Sequence, residues 1–140
     1  MPTDRSQGQQ ANRNGRTAEN VIDAILRLHA SAPPIRQYPV GFGIYGTPLQ
    51  ADFYLADVRG FVAGLIIESK WQESSGSVDE KWPYLVENIR HCYPAPTIIV
   101  LHGGGFRPGA ERWLRTQVDS HRLFAVLRLE EFMKWCSHNL

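Results

Sequence analysis

Residues 51–72 read ADFYLADVRGFVAGLIIESKWQ, and this stretch decides the fold predicted for the chain. Apolar residues alternate along two segments, which is typical of β-strands because successive side chains point to opposite faces. A tight turn at Arg59-Gly60 would join the segments into an antiparallel hairpin. Asp52 then lies opposite Glu68, since each is eight positions from Gly60.

The hairpin brings two carboxylates together. Asp52 and Glu68 become cross-strand neighbours, about 5 Å apart at Cβ. Two carboxylates at that separation repel, so one pKa rises unless a cation lies between them. A divalent metal ion is the simplest resolution. The period of two also places Lys70 and Gln72 on the same strand face as Glu68.

An aspartate, a glutamate after a gap of fifteen residues and a lysine two positions after that form a D…ExK pattern. With Asp52, Glu68 and Lys70 in these positions, the sequence resembles the PD-(D/E)XK nuclease superfamily, which has the restriction-endonuclease-like fold. The proline that usually precedes the aspartate is absent, and Ala51 occupies its place. The pattern is short, so the resemblance also depends on the order of the surrounding elements.

The resemblance implies metal-dependent hydrolysis of a phosphodiester. Asp52 and Glu68 would bind Mg²⁺, or Mn²⁺ in its place, together with the backbone carbonyl of Ser69. Lys70 would orient the attacking hydroxide or neutralise developing charge. Gln72 would face the site and hold water. The alternative for Asp52, Glu68 and Lys70 is a structural salt bridge.

The first helix is predicted to open near Thr17, with Glu19 in its first turn. The sequence GRTAE at residues 15–19 is similar to the opening of resolvase-like members of the superfamily. That resemblance implies a catalytic and metal-binding role for Glu19, and Arg16 beside it is a candidate DNA contact. The alternative for Glu19 is to complement the helix dipole.

The loop after the motif, ESSGS at residues 73–77, is placed to meet a substrate backbone. Ser75, Ser77 and Lys81 are therefore candidate DNA contacts. Ser77 with Glu80 also forms a capping-box pattern, so a helix is predicted from Val78, and Pro83 should kink or restart it. For Lys81 the alternative is an exposed helix lysine.

Asp57 is the competing aspartate of the hairpin. It lies close to the turn and on the opposite face from Asp52. Aspartate is favoured beside turns because its side chain hydrogen-bonds the local backbone. We therefore interpret Asp57 as a turn or surface residue, with a ligand role as the alternative.

The order of predicted elements indicates an α/β fold. A buried parallel strand at residues 97–102, an arginine-bearing helix, a last strand and a C-terminal helix follow the hairpin. This order matches a three-layer restriction-endonuclease-like core, αβββαβ, with a central mixed β-sheet flanked by helices. Residues 15–140 form one predicted domain. Residues 1–14 lack large apolar residues after Met1 and are expected to be a flexible tail.

Composition restricts the remaining possibilities. The net charge of +1 requires any nucleic-acid affinity to come from a local patch. The glycines at 103–105 lack the Gly-Lys-Ser/Thr ending of a phosphate loop, so no nucleotide cofactor is expected. No apolar run is long enough for a membrane span, and Cys92 and Cys136 lack metal-ligand spacing. These features suggest an intracellular protein, and the resemblance implies a cytoplasmic, nucleoid-associated one of phage or mobile-element type.

By resemblance, the function is that of a DNA endonuclease of restriction, homing, resolvase or repair type. A homodimer is expected, because two sites can then address two strands. Two alternatives stay open: a non-catalytic nucleic-acid-binding or assembly subunit on the same fold, and an RNA nuclease.

Overall fold

The computed structural model describes residues 4–74 and 76–140, with side chains from residue 13 onward. A short 3₁₀ helix, Asp79–Lys81, directly precedes the second α-helix. The helices and strands in chain order are α1 (Asp4–His29), β1 (Ile35–Phe42), β2 (Pro48–Leu55), β3 (Leu65–Trp71), α2 (Trp82–His91), β4 (Thr97–His102), α3 (Pro108–Thr116), β5 (Leu123–Arg128) and α4 (Leu129–Asn139).

The five strands form one mixed sheet in the order β1-β2-β3-β4-β5. The pairs β1–β2 and β2–β3 are antiparallel, whereas β3–β4 and β4–β5 are parallel. One face packs against α1 and α4, and the other face packs against α2 and α3. The fold is therefore a three-layer α/β arrangement, and the predicted restriction-endonuclease-like core is confirmed.

The β2–β3 register is the one predicted from the sequence. Phe53 pairs with Ile67, and this alignment places Asp52 opposite Glu68. The turn at Arg59-Gly60 is also present, with the Phe61 N–H donating to the Val58 carbonyl. The strands stop earlier than expected, however, so residues 56–64 form a longer connection instead of a tight turn. Within it, Gly60 has a φ of 84°, a conformation that favours glycine.

The first helix begins at Asp4, so the predicted start near Thr17 is wrong. Thr17 does not cap the helix, because its hydroxyl donates to the Arg13 carbonyl one turn earlier. The extension, residues 4–16, contains three glutamines and three arginines, which favour helix even without an apolar face. Residues 1–3 lie outside the described part of the chain. The division into a flexible segment 1–14 and a domain 15–140 stays a prediction.

The second helix starts later than the sequence suggested. The capping box at Ser77 and Glu80 does not form, since no side chain caps the 3₁₀ turn at Asp79–Lys81. α2 then restarts at Trp82 with Pro83 in its first turn. Proline is tolerated there because the first N–H groups of a helix lack intrahelical partners. The predicted restart at Pro83 is confirmed.

The connection between β1 and β2 is fixed to α2 by a buried asparagine. Asn88 of α2 accepts the backbone N–H of Ile44 at 2.8 Å. A Cβ placed on Gly43 would lie 2.6 Å from Leu49 Cδ1 and 2.8 Å from Asn88 Oδ1, so a larger residue here would displace one of these side chains. The hairpin tip, defined here as residues 42–46, is therefore held against α2.

β1, at one edge of the sheet, is irregular. Its register with β2 shifts between Pro39 and Gly41. Gln37 has a φ of 51° and Gly41 a φ of 96°.

In the described part of the chain, no helix is long and apolar enough to cross a membrane.

Two leucines on α1 allow a matched test of its packing. Leu26 is completely buried against the sheet, whereas Leu28 is 77% exposed. Leu26→Ala should lower the free energy of unfolding by about 2–5 kcal/mol, because it removes packed methyl groups and leaves a cavity. Leu28→Ala should change it by less than about 0.5 kcal/mol. Urea denaturation of both variants measures the difference, and equal effects would contradict the observed face of α1.

Candidate active site

Glu68 is a carboxylate buried in the middle of the sheet. It lies on β3 and is only 3% exposed, on the face covered by α2. Its Oε1 accepts the phenol O–H of Tyr93 at 2.8 Å. Its Oε2 lies 3.5 Å from the Lys70 ammonium. Both carboxylate oxygens therefore have a partner, which a buried charge requires.

Asp52 reaches the same region from β2. Its Oδ2 accepts the backbone N–H of Ser69 at 2.7 Å, so the side chain bridges the two strands. The negative charge of Asp52 contributes to raising the pKa of Glu68. The prediction that Asp52 and Glu68 would be close neighbours agrees with this geometry.

Burial and neighbouring charges shift the pKa values of Glu68 and Lys70, the two ionisable partners on β3. Burial, together with the charge of Asp52, raises the pKa of Glu68 to about 7, although Lys70 opposes the shift. For Lys70, burial would lower the pKa, but the carboxylates of Glu68 and Asp52 outweigh it and the pKa is raised. Lys70 therefore carries a positive charge at neutral pH.

Glu19 belongs to the same group of charges. Burial and the charge of Asp52 raise its pKa, while Arg36 lowers it. Arg36 lies on β1, 3.4 Å from the Glu19 carboxylate and over the ring of Phe53. Glu19, Asp52 and Glu68 are called the acidic centre below.

A cleft of about 290 Å³ opens between the sheet and α2. Glu68 and Lys70 line it from β3, and Tyr93 lies at its base beside them. Lys81 lines the same cleft from the 3₁₀ turn. A second cation thus lies beside the acidic centre, at a position where the sequence suggested a phosphate contact.

The other predicted DNA contacts are not gathered into this cleft. Arg16 is exposed on α1, three residues before Glu19. Ser77 is exposed in the loop before the 3₁₀ turn, and its carbonyl accepts the N–H of Glu80. Ser75 lies outside the described residues. DNA contacts by Arg16, Ser75, Ser77 and Lys81 stay predictions.

Gln72 is buried, and both ends of its amide bind loop backbone. Its Nε2 donates to the Gly105 carbonyl at 2.9 Å, and its Oε1 accepts the Val78 N–H at 3.1 Å. The side chain therefore connects the loop after β3 with the loop after β4. These bonds occupy the groups that were expected to hold water, and the catalytic role of Gln72 stays a prediction.

A larger hollow of about 690 Å³ lies beyond the other end of β2. It is lined by Asp57, Arg59 and the C-terminal residues 138–140. Asp57 accepts a hydrogen bond from the Ser31 hydroxyl at 3.2 Å, as expected for an aspartate near a loop. Size alone does not make this hollow the site, because Glu68 and Lys70 line the smaller cleft.

The donor set of the acidic centre fits a hard divalent cation. Within the described residues, no group of three histidine, cysteine, aspartate or glutamate side chains is arranged to hold a metal ion. Asp52 and Glu68 nevertheless supply carboxylate oxygens, the donors that Mg²⁺ prefers. Burial and the charge of Asp52 raise the pKa of Glu68 although Lys70 opposes them, so a further cation beside Glu68 would stabilise its charged form. A ligand role for Glu19 and for the Ser69 carbonyl stays a prediction.

Two residues of the site were missed from the sequence. Tyr93 follows α2 and reaches Glu68 from the opposite layer, 25 positions along the chain. Arg36 contacts Glu19 from β1. A tyrosine after a helix and an arginine on an edge strand carry no local signal, so only the packing of the layers identifies them.

A mixed sheet with an acidic pair on adjacent strands, and a lysine two residues beyond the second acid, defines an α/β domain of restriction-endonuclease-like architecture. In sequence comparison, residues 10–140 match a family described as a PD-(D/E)XK nuclease superfamily domain. The match spans nearly the whole chain, and the chain belongs to this superfamily.

No curated protein and no solved structure matches the chain. The superfamily typically consists of nucleases, which supports a hydrolase activity in general terms, and its members generally use divalent metals.

The buried Glu68 predicts how stability depends on pH without metal. The pKa rises from 4.5 to about 7 on folding. Between these values the folded protein holds a proton that the unfolded chain releases. Stability therefore falls as pH rises through this range, by about 3 kcal/mol for this group. The raised pKa of Glu19 likewise makes stability fall as pH rises.

Glu68→Gln should flatten this dependence, because the substituted side chain does not titrate. The measurement is urea denaturation in EDTA at several pH values from about 5 to about 7.5. Glu80→Gln is the control, since Glu80 is an exposed glutamate. Identical slopes for wild type and Glu68→Gln would show that Glu68 does not titrate in this range.

Proposed function

We propose that this protein is a metal-dependent endonuclease that hydrolyses phosphodiester bonds in DNA. The observation that supports it most strongly is the buried Glu68 carboxylate beside Asp52, with Lys70 3.5 Å away at the wall of an open cleft. Membership of the nuclease superfamily supports the same reaction class. DNA as substrate and Mg²⁺ as cofactor, with Mn²⁺ able to substitute, are part of the proposal.

Asp52 and Glu68 would hold the metal ion, with the Ser69 carbonyl and Glu19 as further ligands. Held by these residues, Mg²⁺ would supply a water of lowered pKa and positive charge for the phosphate oxygens. Tyr93 holds the Glu68 carboxylate in one orientation by donating to Oε1. The Ser69 N–H does the same for Asp52. The two carboxylates are thus pre-oriented by the protein itself.

Lys70 contributes a fixed positive charge. Its raised pKa means that it holds its proton at neutral pH in the metal-free protein. It therefore serves as a cation for a scissile phosphate and its developing charge, instead of as a base that removes a proton from water. Lys81 at the same cleft would contact a neighbouring phosphate.

The direct test compares Asp52→Asn and Lys70→Ala with wild type in DNA cleavage. The substrates are supercoiled plasmid, linear duplex, single strand and a four-way junction, with Mg²⁺ or Mn²⁺. Each substitution removes a charge from the reacting centre and should lower the rate at least about 100-fold. EDTA should abolish cleavage by wild type.

Asp57→Asn is the matched control. Asp57 belongs to the same hairpin but lies at the other hollow, so this variant should cut at the wild-type rate. Equal loss in Asp52→Asn and Asp57→Asn would contradict the assignment of Asp52. If wild type binds DNA but cuts nothing, the non-catalytic subunit replaces the proposal. If wild type cuts only RNA, the RNA-nuclease alternative replaces the proposal.

We further propose that the protein acts as a homodimer, because two sites are needed to cut two antiparallel strands. Light scattering coupled to size exclusion, with and without duplex DNA, should give a protein mass twice that of the chain once the mass of any bound DNA is subtracted. A single-chain mass under both conditions would contradict the dimer. It would leave the proposed chemistry of the acidic centre unchanged.

A further inference from the structure

Exposed aromatic side chains lie beside the cleft. Tyr45, at the hairpin tip, is 76% exposed, and Phe42 at the base of the tip is 66% exposed. Tyr45 stacks on Tyr84 of α2, with ring centroids 4.9 Å apart and planes inclined by 29°. Tyr84 itself lines the cleft together with Lys70 and Lys81. The aromatic surface is therefore continuous with the wall of the cleft.

The backbone under these rings is fixed. The Ile44 N–H binds the buried Asn88, and the Gly43 N–H donates to the Thr47 carbonyl at 2.9 Å. Gly43 also packs directly against the side chains of Leu49 and Asn88. A rigid platform loses little conformational entropy on binding, so an exposed ring in this place is suited to recognition.

The side chains around the Tyr45–Tyr84 pair, called the platform here, indicate which ligand would bind to it. Lys70 and Lys81 present positive charge for phosphate groups, and Tyr45 and Tyr84 present flat π-faces next to them. A nucleic-acid strand with an unpaired base offers a phosphate to the lysines and a base face to the tyrosines. Every base has a face that stacks on an aromatic ring. A base inside a regular duplex is already stacked on its neighbours and does not offer a free face.

We propose that the Tyr45–Tyr84 pair is a stacking subsite for one unpaired nucleobase next to the scissile phosphate. The substrate class is then DNA that contains unpaired nucleotides beside the cut, as in a gap, a flap or a junction. This inference depends on the proposed function for the phosphate position. It adds the platform and a preference for unpaired bases, which the acidic centre does not imply.

The test measures binding of two DNA probes in EDTA, where the substrate stays intact, and again with Ca²⁺ present. One probe is a duplex with a gap that leaves a single 2-aminopurine unpaired, and the other is the same sequence fully paired. Stacking on tyrosine quenches 2-aminopurine fluorescence. Wild type should bind the gapped probe more tightly and quench its fluorescence.

Tyr45→Ala should weaken binding to the gapped probe about 5- to 150-fold, the range for one lost base stack. It should leave binding to the paired probe unchanged and remove the quenching. Tyr45→Phe keeps the ring and should retain both properties. Trp113→Ala is the control, since Trp113 is an exposed aromatic on α3 that does not line the cleft. Circular dichroism of each variant checks folding.

Three results would overturn the subsite: no preference of wild type for the gapped probe, equal losses for both probes, or unchanged quenching in Tyr45→Ala. None of them depends on cleavage, so they are distinct from failure of the proposed function. If Asp52→Asn abolishes cutting while Tyr45→Ala has no effect on binding, the nuclease stands without the subsite. If nothing is cut but binding follows Tyr45, the subsite stands alone.

Discussion

The burial of the Glu68 carboxylate in the centre of a protein sheet is the constraint on which this structure depends. An ionised carboxylate removed from water is costly unless it is paired and hydrogen-bonded. Here the phenol of Tyr93 comes from beyond α2, the ammonium of Lys70 from the same strand, and the carboxylate of Asp52 opposes them from β2. The compensation is incomplete, since the pKa of Glu68 remains raised. A buried carboxylate whose charge is incompletely compensated is suited to attract a cation.

The parts of the fold that the sequence predicted are those governed by local rules. Strand alternation and the turn at Gly60 were enough to place Asp52 opposite Glu68, even though the connection between the strands is longer than expected. The register survives this difference, because residues added symmetrically on both sides of a turn leave the pairing unchanged. The restart of α2 at Pro83 was also predictable, because proline lacks an N–H and is tolerated in the first turn of a helix.

The parts that were missed depend on contacts between layers. Nothing near Tyr93 in the chain indicates that its phenol reaches β3. Nothing near Gln72 indicates that the backbones of two loops bind the two ends of its amide. Face periodicity placed Gln72 on the side of Glu68 but could not say what it would bind there. The start of α1 was misjudged for a different reason. A lack of apolar residues was taken to exclude helix, although the helix extends to Asp4 through a segment whose glutamines and arginines favour helix.

The irregular edge at β1 affects how copies of this protein can meet. An edge strand with regular, unpaired backbone groups is a template for strand addition and aggregation. β1 interrupts that template with Pro39, which lacks an N–H, and with the register shift that follows it. The positive φ of Gln37 bends the backbone further from a flat ribbon. Sheet extension through this edge is therefore disfavoured, which leaves β5 at the other edge of the sheet, together with helix and loop surfaces, for contact between two chains.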